Sequence, residues 1–293
     1  MKVGFVGTGS MGLPMAQNIL RNGHELIVHN RTKEKAEPLV QQGARWAETP
    51  AEAARQSEVI FTMLADDLAV ETVTLGENGI LEAMREGAVH ISASTVSIKL
   101  INRLAEAHTA KGVYLLSSPV MGRPEAAAQA KLRLLLAGPE EARQRVEPLL
   151  QALGEILVCG DIPQMANAVK LGNNFLIASM IESIAEAMTM VRKHGVAPDR
   201  YLEIVSTFFG SPVYKNYGQL MQKRAWEPAG FKLRLGLKDV KLVQEAAEMV
   251  NSPIPTADIV KNHLIEGLAY GWGEQDWTAI LKTVERDAGL EID

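Results

Sequence analysis

Lys2-Val3-Gly4-Phe5-Val6-Gly7-Thr8-Gly9-Ser10-Met11-Gly12 is an apolar run that passes directly into a Gly-x-Gly-x-x-Gly turn. The run predicts a buried strand. After the turn, Met11, Leu13, Met15, Ala16, Ile19 and Leu20 fall on one helical face, which predicts a helix from near Ser10. In such a strand-turn-helix the three glycines play separate parts. Gly7 makes the tight turn, Gly9 admits a pyrophosphate close to the backbone, and Gly12 lets the helix pack on the strand. Spacing alone is weak evidence, because 24 glycines in 293 residues produce it by chance. The position between strand and helix supplies the specificity. The expected ligand is a dinucleotide whose pyrophosphate sits at the helix N-terminus, where backbone N–H groups and the helix dipole favour an anion.

Outward from this motif, Val/Ile/Leu-rich runs recur at 25–30, 59–64, 89–93, 113–117, 132–137 and 156–159, separated by amphipathic stretches. That alternation predicts a largely parallel sheet covered by helices on both faces. The rhythm stops after Asp161-Ile162-Pro163. Residues 164–194 then run without a proline, rich in Ala, Met, Ile and Leu, up to Gly195 with Pro198 just beyond. They predict a long helix, apolar on most sides and therefore central and buried. Further helices are expected over 199–208, 233–249, 256–268 and 276–287, with Gly210-Ser211-Pro212 and Ser252-Pro253-Ile254-Pro255 as breaks. The fold class is thus an α/β Rossmann-type dinucleotide-binding domain over 1–162, then an all-α substrate and dimerisation domain with a long central helix over 163–293. A length of 293 residues also favours two cores over one.

Composition narrows the function classes. A net charge of −5 offers no basic footprint for nucleic acid or an anionic membrane surface. No apolar stretch is read as a membrane span and no basic, apolar leader precedes the first strand, so a cytoplasmic protein is expected. Cys159 is the single cysteine, which excludes an intramolecular disulfide; in its apolar run it reads as a buried structural thiol. The six histidines, His24, His29, His90, His108, His194 and His263, lack metal-ligand spacing, and no metal site is expected. His24 and His90 read as turn or strand-end residues. No Gly-x-Ser-x-Gly elbow is present.

The second strand end separates the two nicotinamide nucleotides. A ribose 2′-hydroxyl is normally held there by an acidic residue, about 20 residues past the glycines. Asn30-Arg31-Thr32 occupies that place instead. A carboxylate would repel a 2′-phosphate, whereas a guanidinium offers it paired donors. NADP is therefore expected, with NAD as the lesser alternative. The competing reading has Arg31 solvated beside the surface charges of Lys33 and Lys35.

Several stretches, taken in order, carry a family likeness: the glycine-rich start, Met63-Leu64-Ala65-Asp66-Asp67, Ser94-Thr95, Ser118-Pro119-Val120-Met121-Gly122, Lys170-Leu171-Gly172-Asn173-Asn174, Phe231, and Lys238-Asp239. Together they resemble the β-hydroxyacid dehydrogenase family, which includes 3-hydroxyisobutyrate dehydrogenases, tartronate semialdehyde reductases and glyoxylate/succinic semialdehyde reductases. The resemblance covers essentially the whole chain. It implies a Rossmann-type domain followed by a helical one, a small carbonyl or hydroxyacid substrate, and a homodimer or homotetramer. It further implies that Lys170 is the acid/base group. Asn174, four residues on and on the same helical face, would hold the substrate or orient the lysine, with Asn173 beside it. Hydride delivery to a carbonyl carbon develops negative charge on oxygen, which an ammonium can stabilise and then quench with a proton. Burial would lower the lysine pKa toward neutrality. By the same likeness, Gly7, Gly9, Ser10, Met11 and Gly12 hold the cofactor, the backbone of Leu64 and Ala65 passes its ribose, and Thr95 approaches the nicotinamide or the substrate carboxylate. Lys238 contacts the cofactor, Asp239 lies near the lysine, and Phe231 covers the nicotinamide or substrate. Each also has a plainer role: Asp66 as a turn or cap, Ser94, Thr95 or Ser97 as a helix cap, Phe231 as packing, and Lys238 with Asp239 as a solvated face.

One stretch departs from the pattern. The family loop that carries the substrate carboxylate reads Asp-Ala-Pro-Val-Ser-Gly-Gly, and this chain reads Ser117-Ser118-Pro119-Val120-Met121-Gly122-Arg123. Met121 removes a hydroxyl donor and adds a flexible apolar side chain. Arg123 removes a glycine's freedom and adds a fork of donors. The carboxylate can be bound by the Gly122 and Arg123 amides or by the guanidinium, or the pocket can accept a larger substrate; Arg123 pointing to solvent is equally open. The expected activity is NADPH-dependent reduction of small aldehyde acids, or the reverse 3-hydroxyacid oxidation. The alternatives are an imine reductase-like enzyme and a non-catalytic dinucleotide-binding protein.

Overall fold

The computed structural model describes residues 1–291, which fall into two compact units, Met1–Lys170 and Leu171 onward. In the first unit, β1 (Lys2–Val6), β2 (Glu25–His29), β3 (Arg45–Trp46), β4 (Val59–Thr62), β5 (Val89–Ser92), β6 (Tyr114–Ser117), β7 (Val120–Met121), β8 (Leu132–Ala137) and β9 (Gly154–Gly160) form one sheet. The order is β3-β2-β1-β4-β5-β6-β8-β7, with β9 paired to β8. Pairing is parallel from β3 to β6 and antiparallel where β8 meets β6 and β7. Reversal of strand order on either side of β1 and β4 places their carboxyl ends at the switch point, where open α/β sheets receive ligands. The two-residue strands β3 and β7 escaped the sequence reading because they are too short to leave a periodic pattern.

Both faces of the sheet are covered. Val3, Phe5, Phe61, Ile91 and Leu116 pack toward the helix Gly12–Arg21, whose Met15, Ala16 and Ile19 are fully buried. Phe5 and Phe61 stack with ring centres 5.5 Å apart. On the other face Val6, Ile27 and Ile60 meet Ala53, Ala54 and Ile80. The helix begins at Gly12, slightly later than the sequence reading placed it, because residues 10 and 11 complete the glycine-rich turn.

His90 is neither lone nor at a strand end. It lies within β5, fully buried, and stacks on His108 of the helix Ile98–Lys111. His108 Nδ1 lies 2.7 Å from the Leu104 carbonyl and therefore carries its proton. Its Nε2 then accepts from His90 Nδ1 at 3.0 Å, and His90 Nε2 accepts from Thr62 Oγ1 at 2.9 Å. Each bond fixes the next tautomer, so both rings are neutral. Burial holds both below the ordinary imidazole range, His108 at about 4. Cys159 is half-buried rather than fully buried, and burial still pushes its thiol up, away from the reactive thiolate.

The second unit is helical. The long helix Gln164–Lys193 starts in the first unit and continues into the second, followed by Pro198–Val205, Pro212–Gln222, Leu233–Glu248, Pro255–Ala269 and Ile280–Asp287. Ala178, Ile181, Ile184, Ala185 and Met188 form the centre of its core with Leu233, Val240, Val260, Leu264 and Trp277. The helix Pro212–Gln222 follows the expected break at Gly210-Ser211 and was not expected from the sequence. Ser211 accepts from the Tyr214 N–H and Pro212 occupies the first helical position, so the residues read as a stop are a start.

The long helix is not buried all round, as its composition suggested. Val169, Leu176 and Met190 are exposed, the last two at 69% and 59%. A window of this helix is also long and apolar enough to cross a membrane by composition, contrary to the sequence reading, yet 44% of that window is buried in the fold. Polar side chains on the helix are paired: the buried Glu182 with His263 Nδ1 at 2.7 Å, and the half-buried Arg192 with the buried Glu285 at 2.7 Å.

Candidate active site

The glycine-rich turn separates into packing glycines and an open one. Gly7 takes φ +100°, and a Cβ there would lie 2.3 Å from the Met63 carbonyl oxygen. A Cβ on Gly12 would stand 1.9 Å from the Gly7 carbonyl oxygen. Both are required by the turn itself. A Cβ on Gly9 would meet no atom of the described residues within 4 Å. The space kept free at Gly9 lies outside the protein's own packing, which is the room a pyrophosphate approaching the backbone needs, and the residues present fit a dinucleotide. Ser10 and Gly9 are exposed and Met11 is half-buried at the start of the helix.

Asn30 braces this turn. Its Oδ1 accepts from the Thr8 N–H at 3.0 Å and its Nδ2 donates to the Thr32 carbonyl at 2.8 Å. The amide expected at the cofactor is thus occupied in shaping the loop that would hold it. Arg31 is exposed at the same strand end. Lys33 ion-pairs with Glu48 at 3.5 Å on the surface.

The ends of β4 and β5 are tied to each other. The Leu64 N–H donates to the buried Ser94 Oγ at 2.8 Å, fixing the Leu64-Ala65 backbone. Asp66 is a helix cap, accepting from the Ala69 N–H at 2.9 Å. Asp67 accepts from the Ser97 N–H, and Ser97 in turn caps the helix Ile98–Lys111 through the Leu100 N–H, both at 3.0 Å. Capping falls to Ser97 rather than Thr95, which is half-buried just before it.

Met121 ends β7, opposite Arg133 of β8. Gly122 follows at φ +139°, and Arg123 immediately precedes the helix Pro124–Ala128. That helix is held by a residue the sequence reading passed over: Asn18, buried on the helix Gly12–Arg21, donates to the Ala127 carbonyl at 2.7 Å. A second unread residue is Asn167, in the first turns of the long helix and 1% exposed. Both could have been noticed as amides at positions where the periodicity demands an apolar residue.

Lys170 is half-buried on the same helix, one turn beyond Asn167. In the helical unit Asn174, 6% exposed, donates through Nδ2 to Asp239 Oδ2 at 2.6 Å. Asp239, 2% exposed, faces Lys238 Nζ at 3.0 Å through its other oxygen. Asn174, Asp239 and Lys238 therefore form one cluster, with a hydrogen bond on one carboxylate oxygen and an ion pair on the other, not the solvated face that was the alternative. Asn173 is half-buried beside it. Phe231 packs edge-on against Trp277, ring centres 4.9 Å apart, and its N–H donates to Asp276 Oδ2 at 3.1 Å. Among the described residues no cluster of His, Cys, Asp or Glu has metal-binding form.

Comparison with known proteins identifies the family. Residues 2–161 match the family described as the NAD binding domain of 6-phosphogluconate dehydrogenase. Residues 165–284 match the NAD-binding domain of NADP-dependent 3-hydroxyisobutyrate dehydrogenase. The chain is 47% identical to the uncharacterised oxidoreductase YfjR of Bacillus subtilis, covering 97% of this chain and 100% of the relative. It is 33% identical to the 3-sulfolactaldehyde reductase of Escherichia coli, covering 98% and 97%. It is 31% identical to glyoxylate/succinic semialdehyde reductase 1 of Arabidopsis thaliana, covering 97% and 99%. Among solved structures, a 3-hydroxyisobutyrate dehydrogenase from Salmonella typhimurium superposes with a TM-score of 0.85 at 26% identity, covering 96% of this chain and 98% of the other. The chain belongs to the β-hydroxyacid dehydrogenase family and is an NAD(P)-dependent oxidoreductase.

Proposed function

We propose that this protein is an NADPH-dependent reductase of small aldehydes bearing an anionic group, and in reverse a 3-hydroxyacid dehydrogenase. The observation that carries the reading is the Lys170-x-x-x-Asn174 pair, in which the amide four residues past the lysine is itself held by the buried Asp239 carboxylate. A bound dihydronicotinamide supplies a hydride to the carbonyl carbon. The Lys170 ammonium faces the developing charge on the carbonyl oxygen and gives it a proton; the reverse reaction returns that proton to the amine. Asn174, with its amide oriented by Asp239, holds the substrate; Asn173 and Phe231 contact the substrate and Lys238 the cofactor.

Gly7, Gly9, Ser10, Met11 and Gly12 hold the pyrophosphate, Leu64, Ala65 and Thr95 lie along the ribose and nicotinamide, and Arg31 with Thr32 takes the 2′-phosphate. The named relatives act on glyoxylate, succinic semialdehyde or 3-sulfolactaldehyde, each an aldehyde with an anionic end. The Gly122 amide and the Arg123 guanidinium supply donors for such a group, and Met121 gives the pocket an adaptable apolar wall. The exposed Val169, Leu176 and Met190 support a homo-oligomer, a dimer or tetramer, that covers them.

The test is NADPH oxidation against glyoxylate, succinic semialdehyde, tartronate semialdehyde, 3-sulfolactaldehyde, uncharged aldehydes of matching length and cyclic imines. Wild type should prefer anionic aldehydes in kcat/KM at least ~10-fold, the scale of a charge-assisted contact. The Arg123→Ala enzyme should lose that preference, and Met121→Ser should shift it toward shorter substrates. Equal turnover of neutral aldehydes, or faster turnover of imines, would overturn the reading.

A further inference from the structure

We infer that Asn167 is the positioning residue for Lys170; the inference rests on the reading of Lys170 as the proton donor. Asn167 is an amide in the first turns of an otherwise apolar helix, 1% exposed and with no helix-forming reason to be there. Both ends of its side chain are used within the first unit. The Ser117 hydroxyl, at the end of β6, donates to Asn167 Oδ1, and Asn167 Nδ2 donates to the Val96 carbonyl at 3.1 Å. Ser117 and Val96 are fully buried.

These partners make the amide orientation unique, because a flipped amide would set its oxygen against the Val96 carbonyl oxygen. Their places in the chain give the bonds a purpose. Val96 directly follows Thr95, and Ser117 opens the stretch that leads to Met121, Gly122 and Arg123. One side chain thus ties the start of the long helix to the loop assigned to the nicotinamide and to the loop assigned to the substrate. One residue earlier, Ala166 is fully buried in a cluster with Leu135 and Ala137 of β8. Asn167 and Ala166 fix the helix in height and rotation where it leaves the sheet.

Lys170 lies three residues on, a rise of about 4.5 Å and nearly a full turn, so its stem leaves from almost the same face. A lysine ammonium rides on four rotatable bonds and cannot fix its own origin. Its reach toward a carbonyl oxygen is set by where its Cα is held, and a misplacement of about 1 Å at a reacting group can cost ~100-fold in rate. Asn167 supplies that constraint without touching substrate.

The experiment compares wild type, Asn167→Ala, Ser117→Ala and Lys170→Ala as full chains. Steady-state kinetics with NADPH and the best-used aldehyde of glyoxylate and succinic semialdehyde gives kcat, KM and the pH profile of kcat. NADPH binding is titrated separately, thermal unfolding is recorded, and the Lys170 ammonium is titrated by NMR, assigned by its loss in Lys170→Ala. The expected result is a kcat reduced ~10- to 100-fold in Asn167→Ala and less in Ser117→Ala. NADPH affinity should stay within about threefold, and the midpoint of the kcat profile should move together with the Lys170 titration. Ser117→Ala removes a single hydroxyl and decides the matter if Asn167→Ala fails to fold. Unchanged kcat and an unmoved Lys170 midpoint in the folded variants, whatever their melting temperatures, would reduce Asn167 to a structural residue. Full activity of Lys170→Ala would instead remove the proton-donor reading, and the NMR midpoint would still report whether Asn167 places the lysine.

Discussion

Asn174 donates to Asp239 across 2.6 Å with both side chains buried in the helical unit, so the orientation of the proposed substrate-holding amide is imposed by a carboxylate 65 residues away in the chain. Removing the carboxylate leaves a buried amide without this acceptor and removes one ion pair of Lys238. Asp239→Ala should therefore lose about 1–3 kcal/mol of stability and at least ~10-fold in kcat/KM for the aldehyde. Asp239→Asn keeps an acceptor oxygen and should retain more of both. Chemical denaturation and steady-state kinetics on the two variants measure the difference; equal behaviour of Ala and Asn would show that the acceptor is irrelevant.

The glycine-rich turn yields a paired prediction. Gly9→Ala introduces a methyl into space the protein does not fill, so its melting temperature should match wild type while NADPH affinity falls at least ~10-fold. Gly12→Ala drives the same methyl against the Gly7 carbonyl oxygen and should destabilise the fold itself. Calorimetry and NADPH titration distinguish the two, and unaltered NADPH binding by Gly9→Ala would mean that the open space is not the phosphate site.

Arg31 separates the two nicotinamide nucleotides. Arg31→Ala should weaken NADPH binding ~10- to 100-fold, the range of a charge-assisted phosphate contact, and change NADH binding by no more than about threefold. Parallel titrations with both nucleotides make the comparison, and equal losses would place the 2′-phosphate elsewhere.

The His90–His108 pair gives the protein an acid-sensitive core. His108 titrates near 4 when folded against an ordinary 6.5, and burial depresses His90 in the same direction. Between these values the unfolded chain binds protons that the folded chain refuses, so stability falls as pH drops from about 6.5 toward 4 and is not affected by these groups above that window. His108 alone accounts for about 3 kcal/mol over the interval. Unfolding free energies measured from pH 7 to 4 should show this slope, and His108→Gln should lack the His108 share. An identical slope in the variant would assign the acid sensitivity to other groups.

Much of this architecture was legible in the chain. The strand and helix alternation followed from apolar runs and punctuation, because those are set locally by periodicity and by residues such as Gly195 and Pro198. The glycine-rich turn was legible for the same reason. What escaped depends on contacts remote in sequence. The bracing role of Asn30 escaped because its hydrogen bond to Thr8 spans the β2–β1 pairing and leaves no local trace. His90 read as isolated because its partner lies 18 residues on, in a different element. Ser211-Pro212 read as a break because a cap and a terminator share the same residue types until the following helix is seen to pack. Asn18 and Asn167 looked like ordinary amides, and their bonds to Ala127, Val96 and Ser117 exist only once the sheet has formed.

The central claim is that the Lys170 side chain delivers the proton to the substrate oxygen. Its most direct test is the single-turnover rate of Lys170→Ala with saturating NADPH and aldehyde, beside an NADPH titration of the same variant. The account predicts a rate lower by ~10²- to 10⁴-fold, the usual contribution of a positioned acid, with NADPH affinity essentially that of wild type. A variant that binds NADPH normally and turns over at the wild-type rate would contradict it.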